Sequence, residues 1–217
     1  MILIPIKNLA HSKQRLAGVL SQNVRTKLAK AMLLDILEVL SAWQKRPEVS
    51  IVTGDPFAIE VAKHFNFRVI QDSENTGETD AIAMATHICE SQGAENTLVI
   101  PGDIPLIEVL ELEKIVHSAP AQGSVMVPAA DGRGTNAVWR SPCGLFPLRF
   151  GNDSFVPHKA AALATKKPCV VMSLPGIALD IDNPADLKQL AAAAGERHSQ
   201  HLARQWSFAE LPVAANE

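Results

Sequence analysis

The chain reads as one α/β domain with a mostly parallel central sheet flanked by helices. Two observations carry this. Short apolar, strand-like runs centred on Leu3, Ile51, Val69, Val99 and Val125 alternate with longer stretches of helical spacing. The fourth run, Leu98-Val99-Ile100, passes straight into Pro101-Gly102-Asp103-Ile104-Pro105. Pro101 removes a ladder donor and Gly102 tolerates unusual backbone angles, so the strand stops there. Asp103 is then left at a strand's carboxyl end, the edge where open α/β sheets bind ligands. A turn-closing role before Pro105 is the other reading of Asp103.

Taken in order, Met1–Ile6 is the first buried strand. Ser21 is placed to cap a long helix reaching Trp43, with Leu28, Met32, Ile36, Val39 and Leu40 on its core face. Arg25, Lys27 and Lys30 are expected on its solvated side. Strands follow at 49–53 and 67–70, with a short helix through Ala58, Val61, Ala62 and Phe65 between them. A polar loop over 72–80 leads into a helix over 81–91, with Gly77 at a bend and Thr79 or Asp80 as cap. After the Asp103 strand come a helix over 108–116 and strands over 124–128, from Thr135 through Trp139, and over 169–174. Residues 177–182 alternate as a last strand, and Asn183-Pro184-Ala185-Asp186 opens a helix with Asn183 as N-cap. The domain spans 1–195, and 196–217 is read as a C-terminal tail, a fraying helix and then a loose end.

The totals exclude several classes. The 217 residues are 47% apolar and 20% charged, the balance of a soluble globular protein. A formal net charge of −3 argues against a nucleic-acid surface. Cys89, Cys143 and Cys169 are odd in number and widely spaced, which suits a reducing cytoplasm. No apolar leader and no membrane-length run is seen.

Four stretches carry chemistry. Lys7, Lys13 and Arg15 follow the first strand in a loop suited to a phosphate chain, or simply to solvent. The stretch is not a Walker loop. Asp131-Gly132-Arg133-Gly134-Thr135-Asn136 could aim backbone N–H groups at an oxyanion, or could be a hairpin turn. Phe150-Gly151-Asn152-Asp153-Ser154 bends into a helix whose N-terminus could hold phosphate, and His158 is either a ligand, a base or a structural residue. Asp180 and Asp182, two apart in a strand, share a face and would repel unless a cation sits between them. Asp182 could instead complement the dipole of the next helix, which leaves Asp180 unexplained.

In combination, residues 7–16, Ala31-Met32-Leu33-x-Asp35, Pro-x-Asp-x-Pro-Leu at 101–106, Asp-Gly-x-Gly-Thr-Asn at 131–136, Phe-Gly-x-x-Ser-Phe-x-x-His at 150–158 and Asp-x-Asp-x-Pro-x-Asp-Leu at 180–187 resemble the 2-phospho-L-lactate guanylyltransferase family of coenzyme F420 biosynthesis. The resemblance covers about residues 1–190. It implies a Rossmann-like nucleotidyltransferase fold. It also implies transfer of GMP from GTP to 2-phospho-L-lactate, phosphoenolpyruvate or 3-phospho-D-glycerate, with release of pyrophosphate. By matching position, Asp103, Asp180 and Asp182 would hold Mg²⁺, and Thr135, Gly151 and Ser154 the acceptor's phosphate. Lys13 and Arg15 would face the triphosphate and, with Asp103, form the catalytic set. Lys7, Gly77 and Thr79 would complete the nucleotide side. One departure is the loop Gly77-Glu78-Thr79-Asp80, where the family often carries Gly-Leu-Asn. The other enzyme reading is a molybdopterin- or sugar-phosphate-type nucleotidyltransferase, and the non-enzyme reading is a nucleotide-binding regulator. The implied partners are GTP and a small phosphorylated acid, with neither nucleic acid nor membrane, and a homodimer is left open.

Overall fold

The computed structural model describes residues 1–73, 77–151 and 153–208. Part of the predicted 72–80 loop, Asn152 of the glycine bend and the tail beyond 208 lie outside the described residues. Seven strands form one sheet: β1 (Ile2–Ile6), β2 (Val49–Thr53), β3 (Arg68–Gln71), β4 (Thr97–Val99), β5 (Gly123–Pro128), β6 (Thr135–Ser141) and β7 (Cys169–Val171). Their order is β3-β2-β1-β4-β6-β5-β7. β1 pairs in parallel with β2 and β4, β2 with β3, and β5 with β7. β6 alone is reversed, antiparallel to both β4 and β5.

Among the described residues eight α-helices complete the layers: α1 (Gln22–Ala42), α2 (Pro56–His64), α3 (Glu78–Ser91), α4 (Val109–Ser118), α5 (Phe155–Ala164), α6 (Pro175–Ala178), α7 (Pro184–Ala192) and α8 (His198–Phe208). The period-2 geometry of a strand sorts β1 to two faces. Ile2, Ile4 and Ile6 join Leu28, Met32 and Ile36 of α1 and Leu112 and Ile115 of α4. Leu3 turns to the opposite core with Ala81, Ile82 and Ala85 of α3 and Ala162 of α5. A sheet covered on both faces is what allows its central strands to be apolar throughout.

β1 lies between β2 and β4, so the chain leaves it towards one sheet edge and later returns on the other side. The resulting switch point opens between the carboxyl ends of β1 and β4. A Cβ at Gly102 would sit 2.1 Å from Ile6 Cδ1, so a larger residue in the turn after β4 would have to push the end of the Ile6 side chain aside.

Three details depart from the sequence reading. Residues 179–182 are irregular, not a strand; the short helix α6 precedes them, and their backbone is tied to neighbouring loops instead of to a ladder. Arg25 is buried, because its guanidinium donates to Leu20 O at 2.8 Å and so closes the turn before α1. The segment that the sequence reading places in a tail forms α8 over 198–208 and packs on α1 and α7, with Ser199, Gln200 and Ala203 buried. No described helix is long and apolar enough to cross a membrane.

α8 begins on a carboxylate supplied by another helix. Asp35 of α1 accepts from His198 N at 2.8 Å, from Ser199 N at 3.0 Å and from the Ser199 hydroxyl. A helix start has orphan N–H donors, and this cap satisfies two of them across the layer. Asp35→Ala is expected to cost about 1–3 kcal/mol and to speed amide exchange over 198–208 more than elsewhere. Unchanged exchange in that segment, measured by mass spectrometry, would refute the clamp.

Candidate active site

Every strand except β6 ends at the switch-point edge, and β6 begins there. Asp103 therefore follows β4, the loop of Lys7, Lys13 and Arg15 follows β1, and Thr135 and Asn136 open β6. The irregular 179–182 segment is brought to the same place by a backbone bond from Ile181 N to Asp103 O at 3.1 Å. Asp182 is fixed by the capping box of α7, in which Asp186 accepts from both Asp182 N and Asn183 N at 2.9 Å. Arg197 donates to Pro105 O at 2.6 Å and to Ile107 O at 2.7 Å, which holds the loop after Asp103 from outside.

Lys13 is the centre of the charges. It adopts left-handed angles, φ 55° and ψ 42°, uncommon for a side-chain-bearing residue. Its Nζ lies 2.5 Å from Asp103 Oδ2 and 2.9 Å from Asp182 Oδ1. Arg15 adds a second contact to Asp182 at 2.9 Å. Burial alone would lower the Lys13 pKa, but the charges of Asp103 and Asp182 outweigh it and raise it. Asp182 moves the other way: burial opposes, and Lys13 and Arg15 bring its pKa below the usual carboxylate range.

Asp180 differs. It is held by Asn136 Nδ2 at 3.0 Å, and burial, with Asp103 and Asp182 nearby, raises its pKa. The oxygens of Asp103, Asp180 and Asp182 do not all come within 4.8 Å of one another; among the described residues that spacing is met by Asp35, Glu38 and His198. The three aspartates still suit a hard divalent cation by donor type, being oxygen ligands with excess negative charge, and the Lys13 ammonium already sits between two of them.

Two cavities meet here. One of about 360 Å³ is lined by Arg15, Asp131, Arg133, Thr135, Gly151, Ser154 and Asp180. The other, of about 540 Å³, is lined by Lys7, Asn8, Ser12, Lys13 and Gly102. Glu78, Pro101, Asp103 and Asp182 belong to both, so they form the shared wall. A larger cleft of about 640 Å³ opens around Arg46, Lys63 and Arg68 and contains none of these residues.

Thr135, Gly151 and Ser154, predicted as one set, do line one cavity. Lys7, Lys13 and Asp103 line the other, whereas Arg15 lines the first. Gly77 is the N-cap of α3, which starts at Glu78, earlier than the sequence reading has it. Thr79 lines neither cavity; its hydroxyl accepts from Phe150 N at 3.0 Å and so ties α3 to the glycine bend. The 131–134 loop is a turn and not an anion nest: Asp131 Oδ1 accepts from Arg133 N at 2.8 Å and from Gly134 N at 3.3 Å. Arg133 in turn forks onto Asp153 across the cavity mouth.

Sequence reasoning missed Asn136 and Glu78. Asn136 stood in the Thr-Asn pair but had no stated role; it orients Asp180. Glu78 looked like an ordinary acid in a helix's first turn. Burial, with Asp103 nearby, pushes its pKa to about 7, against Lys7 and Lys13, which pull it down. In the unfolded chain it ionises near 4.5. Between those values the folded state keeps a proton that the unfolded state has lost, so stability falls as pH rises through the window. Glu78→Gln is therefore expected to raise the melting temperature of the metal-free, chelator-treated protein at pH 8 and to change little at pH 4. An equal shift at both pH values would disprove this account.

The chain is similar to known proteins along most of its length. The description "guanylyl transferase CofC like" belongs to the family profile that matches residues 1–215. A phosphoenolpyruvate guanylyltransferase of Conexibacter woesei is 30% identical over 197 residues, spanning 90% of this chain and 88% of the relative. A 3-phospho-D-glycerate guanylyltransferase of Colwellia psychrerythraea is 30% identical over 190 residues, 88% and 90% of the two chains. A 2-phospho-L-lactate guanylyltransferase of Methanothermobacter thermautotrophicus is 26% identical over 215 residues, 99% and 94%. A solved structure from Desulfovibrio desulfuricans G20, assigned to the nucleotide-diphospho-sugar transferases, superimposes with a TM-score of 0.76 at 17% identity, covering 94% of this chain and 93% of that one. At that identity the likeness concerns the fold, which is of the nucleotidyltransferase type. With a profile match along almost its whole length and relatives at 30% identity, the chain belongs to the guanylyl transferase CofC-like family.

Proposed function

We propose that this protein is a guanylyltransferase that joins the GMP part of GTP to a phosphorylated three-carbon acid and releases pyrophosphate, a step of coenzyme F420 biosynthesis. The observation that carries the reading is the pair of adjacent cavities with Asp103 and Asp182 in their common wall. A transfer between two phosphates needs two anion sites meeting at one point of charge neutralisation. Family membership supports GTP as the nucleotide and a phosphorylated three-carbon acid as the acceptor.

The chemistry asks little of a base. A phosphate monoester is largely dianionic near neutral pH. One of its oxygens attacks the α-phosphorus of GTP, a new P–O bond forms, and the bond to pyrophosphate breaks in line with it. What remains is to align two anions and offset their charge. Lys7 and Lys13 stand in the 540 Å³ cavity for the triphosphate. Thr135 and Ser154 stand in the 360 Å³ cavity for the acceptor's phosphate, with Arg133 and Arg15 as cations for its carboxylate. Asp103, Asp180 and Asp182 are the residues that would hold Mg²⁺. The ion would supply Lewis-acid stabilisation of the developing charge. Lys13 would then exchange its carboxylate partners for phosphate oxygens.

Asp103→Asn and Asp180→Asn are each expected to abolish turnover with the fold retained. Near wild-type rates in either would sink the metal assignment. The acceptor is identified by incubating the protein with GTP, Mg²⁺ and each of 2-phospho-L-lactate, phosphoenolpyruvate and 3-phospho-D-glycerate, and weighing the product. One GMP-linked acid is expected, with GTP preferred over ATP and CTP. Turnover of none of the three, with pyrophosphate released on a sugar phosphate or a pterin phosphate, would favour the other nucleotidyltransferase reading. No pyrophosphate with any acceptor would favour a nucleotide-binding regulator.

A further inference from the structure

His158 sits in the first turn of α5, almost fully buried, and its ring nitrogens are both engaged. Nε2 lies 2.8 Å from Arg149 N. A backbone amide can only donate, so Nε2 carries the lone pair and the ring hydrogen is on Nδ1. Nδ1 lies 3.0 Å from Thr135 Oγ1 and therefore donates to it. Thr135 Oγ1 is in turn 3.1 Å from Ser154 Oγ. Both hydroxyl residues are buried and line the acceptor-side cavity.

Counting protons gives the consequence. Two hydroxyls bring two protons, and one is used in the bond between them. The imidazole adds a donor and takes none, so the second hydroxyl proton is left over. Among the described residues neither hydroxyl has another hydrogen-bond partner, so that proton is free to point into the cavity. The opposite tautomer would accept the second proton, and the pair would offer an anion nothing. We propose that His158 is a positioning residue that makes the Thr135–Ser154 hydroxyl pair a net donor to the acceptor's phosphate, which rests on the acceptor assignment made above.

Two features lock the tautomer. Burial, with Arg140 nearby, holds the His158 pKa at about 4, so the ring is neutral at working pH. The ring also packs in a T-shaped arrangement with Phe150, the two ring centres 5.3 Å apart, which fixes its plane. A protonated Nε2 would point a hydrogen at the Arg149 N–H. The arrangement favours a fully ionised phosphate, which only accepts, over a hydroxyl or amine.

The amides of asparagine and glutamine separate the two ring positions. His158→Asn keeps an N–H near Nδ1 and should restore binding. His158→Gln reaches only the Nε2 position, and His158→Phe has neither. The latter two are expected to raise the acceptor KM by about tenfold, the measure of one lost bond to a charged group. The GTP KM should stay within about twofold. Titration with inorganic phosphate should rank the three variants in the same order, whether or not any acid is turned over. In the wild-type protein the imidazole nitrogen spectrum should show Nδ1 protonated and Nε2 bare at pH 7. Equal phosphate affinity in the Asn and Gln variants, or a protonated Nε2, overturns the proposal. If the variants fail to fold, the wild-type nitrogen spectrum decides it. Loss of all turnover in the wild type, with phosphate binding ranked as stated, would count against the acceptor assignment and not against His158.

Discussion

One ammonium group holds the site together. The Lys13 side chain reaches Asp103, 90 residues away in sequence, and Asp182, 169 residues away. Around it lie Asp180 and Glu78, so the edge between β1 and β4 carries four carboxylates in a partly dry setting. Like charges at that density repel, and a cation among them is the condition for the three segments to converge. Lys13 provides it within the chain, from a left-handed backbone position that aims the side chain inward. The raised pKa values of Asp180 and Glu78 come first from burial and then from the neighbouring carboxylates whose charge one lysine does not cancel.

That balance also explains how the site can hold a substrate. On the proposed function, a bound triphosphate would bring negative charge to a place that is already negative, so extra cations would have to come with it or be freed from internal partners. Lys13 and Arg15 are both engaged with Asp182, and Arg133 is engaged with Asp153. Each is an arm that can trade a carboxylate for a ligand's oxygen at little net cost, because one charge-assisted bond replaces another. The exchange couples the two cavities through Asp182, which faces both.

Much of this was legible beforehand, for physical reasons that differ by residue. Asp103 could be read because an apolar run ending in Pro-Gly leaves little doubt about where the strand stops. Asn183, Pro184 and Asp186 could be read because capping is local chemistry, and all three occupy the expected positions. The Asp180–Asp182 spacing suggested a strand, but the backbone there is held by Asp103 O and Asp186 instead of by a neighbour strand, and alternation alone does not register that. α8 was underread because its apolar content is low; its attachment is through Asp35 and a few buried positions contributed by α1, which lies some 160 residues earlier. Glu78 gave no signal, since its proton affinity is created by burial next to Asp103 and not by its neighbours in sequence. The 131–134 glycines composed a plausible anion nest until Asp131 was seen to take the N–H groups.

The reversed strand β6 divides the labour within the sheet. The loops proposed to face the nucleotide follow β1 and β4, parallel strands whose ends are fixed by the central ladder. Thr135 and Asn136 instead open a strand that runs the other way, and the chain that leaves its far end travels back through 142–154 to deliver Gly151 and Ser154. Most of the 360 Å³ cavity is thus lined from one excursion of the chain, about residues 129–158, between β5 and β7, and Arg15, Glu78, Pro101, Asp103, Asp180 and Asp182 close it from elsewhere. The excursion's length and side chains can change while the registers of β1, β2 and β4 remain as they are. On the proposed function, such a scaffold could be retuned from one small acid to another by editing that excursion, and the relatives of this chain carry names with three different acids.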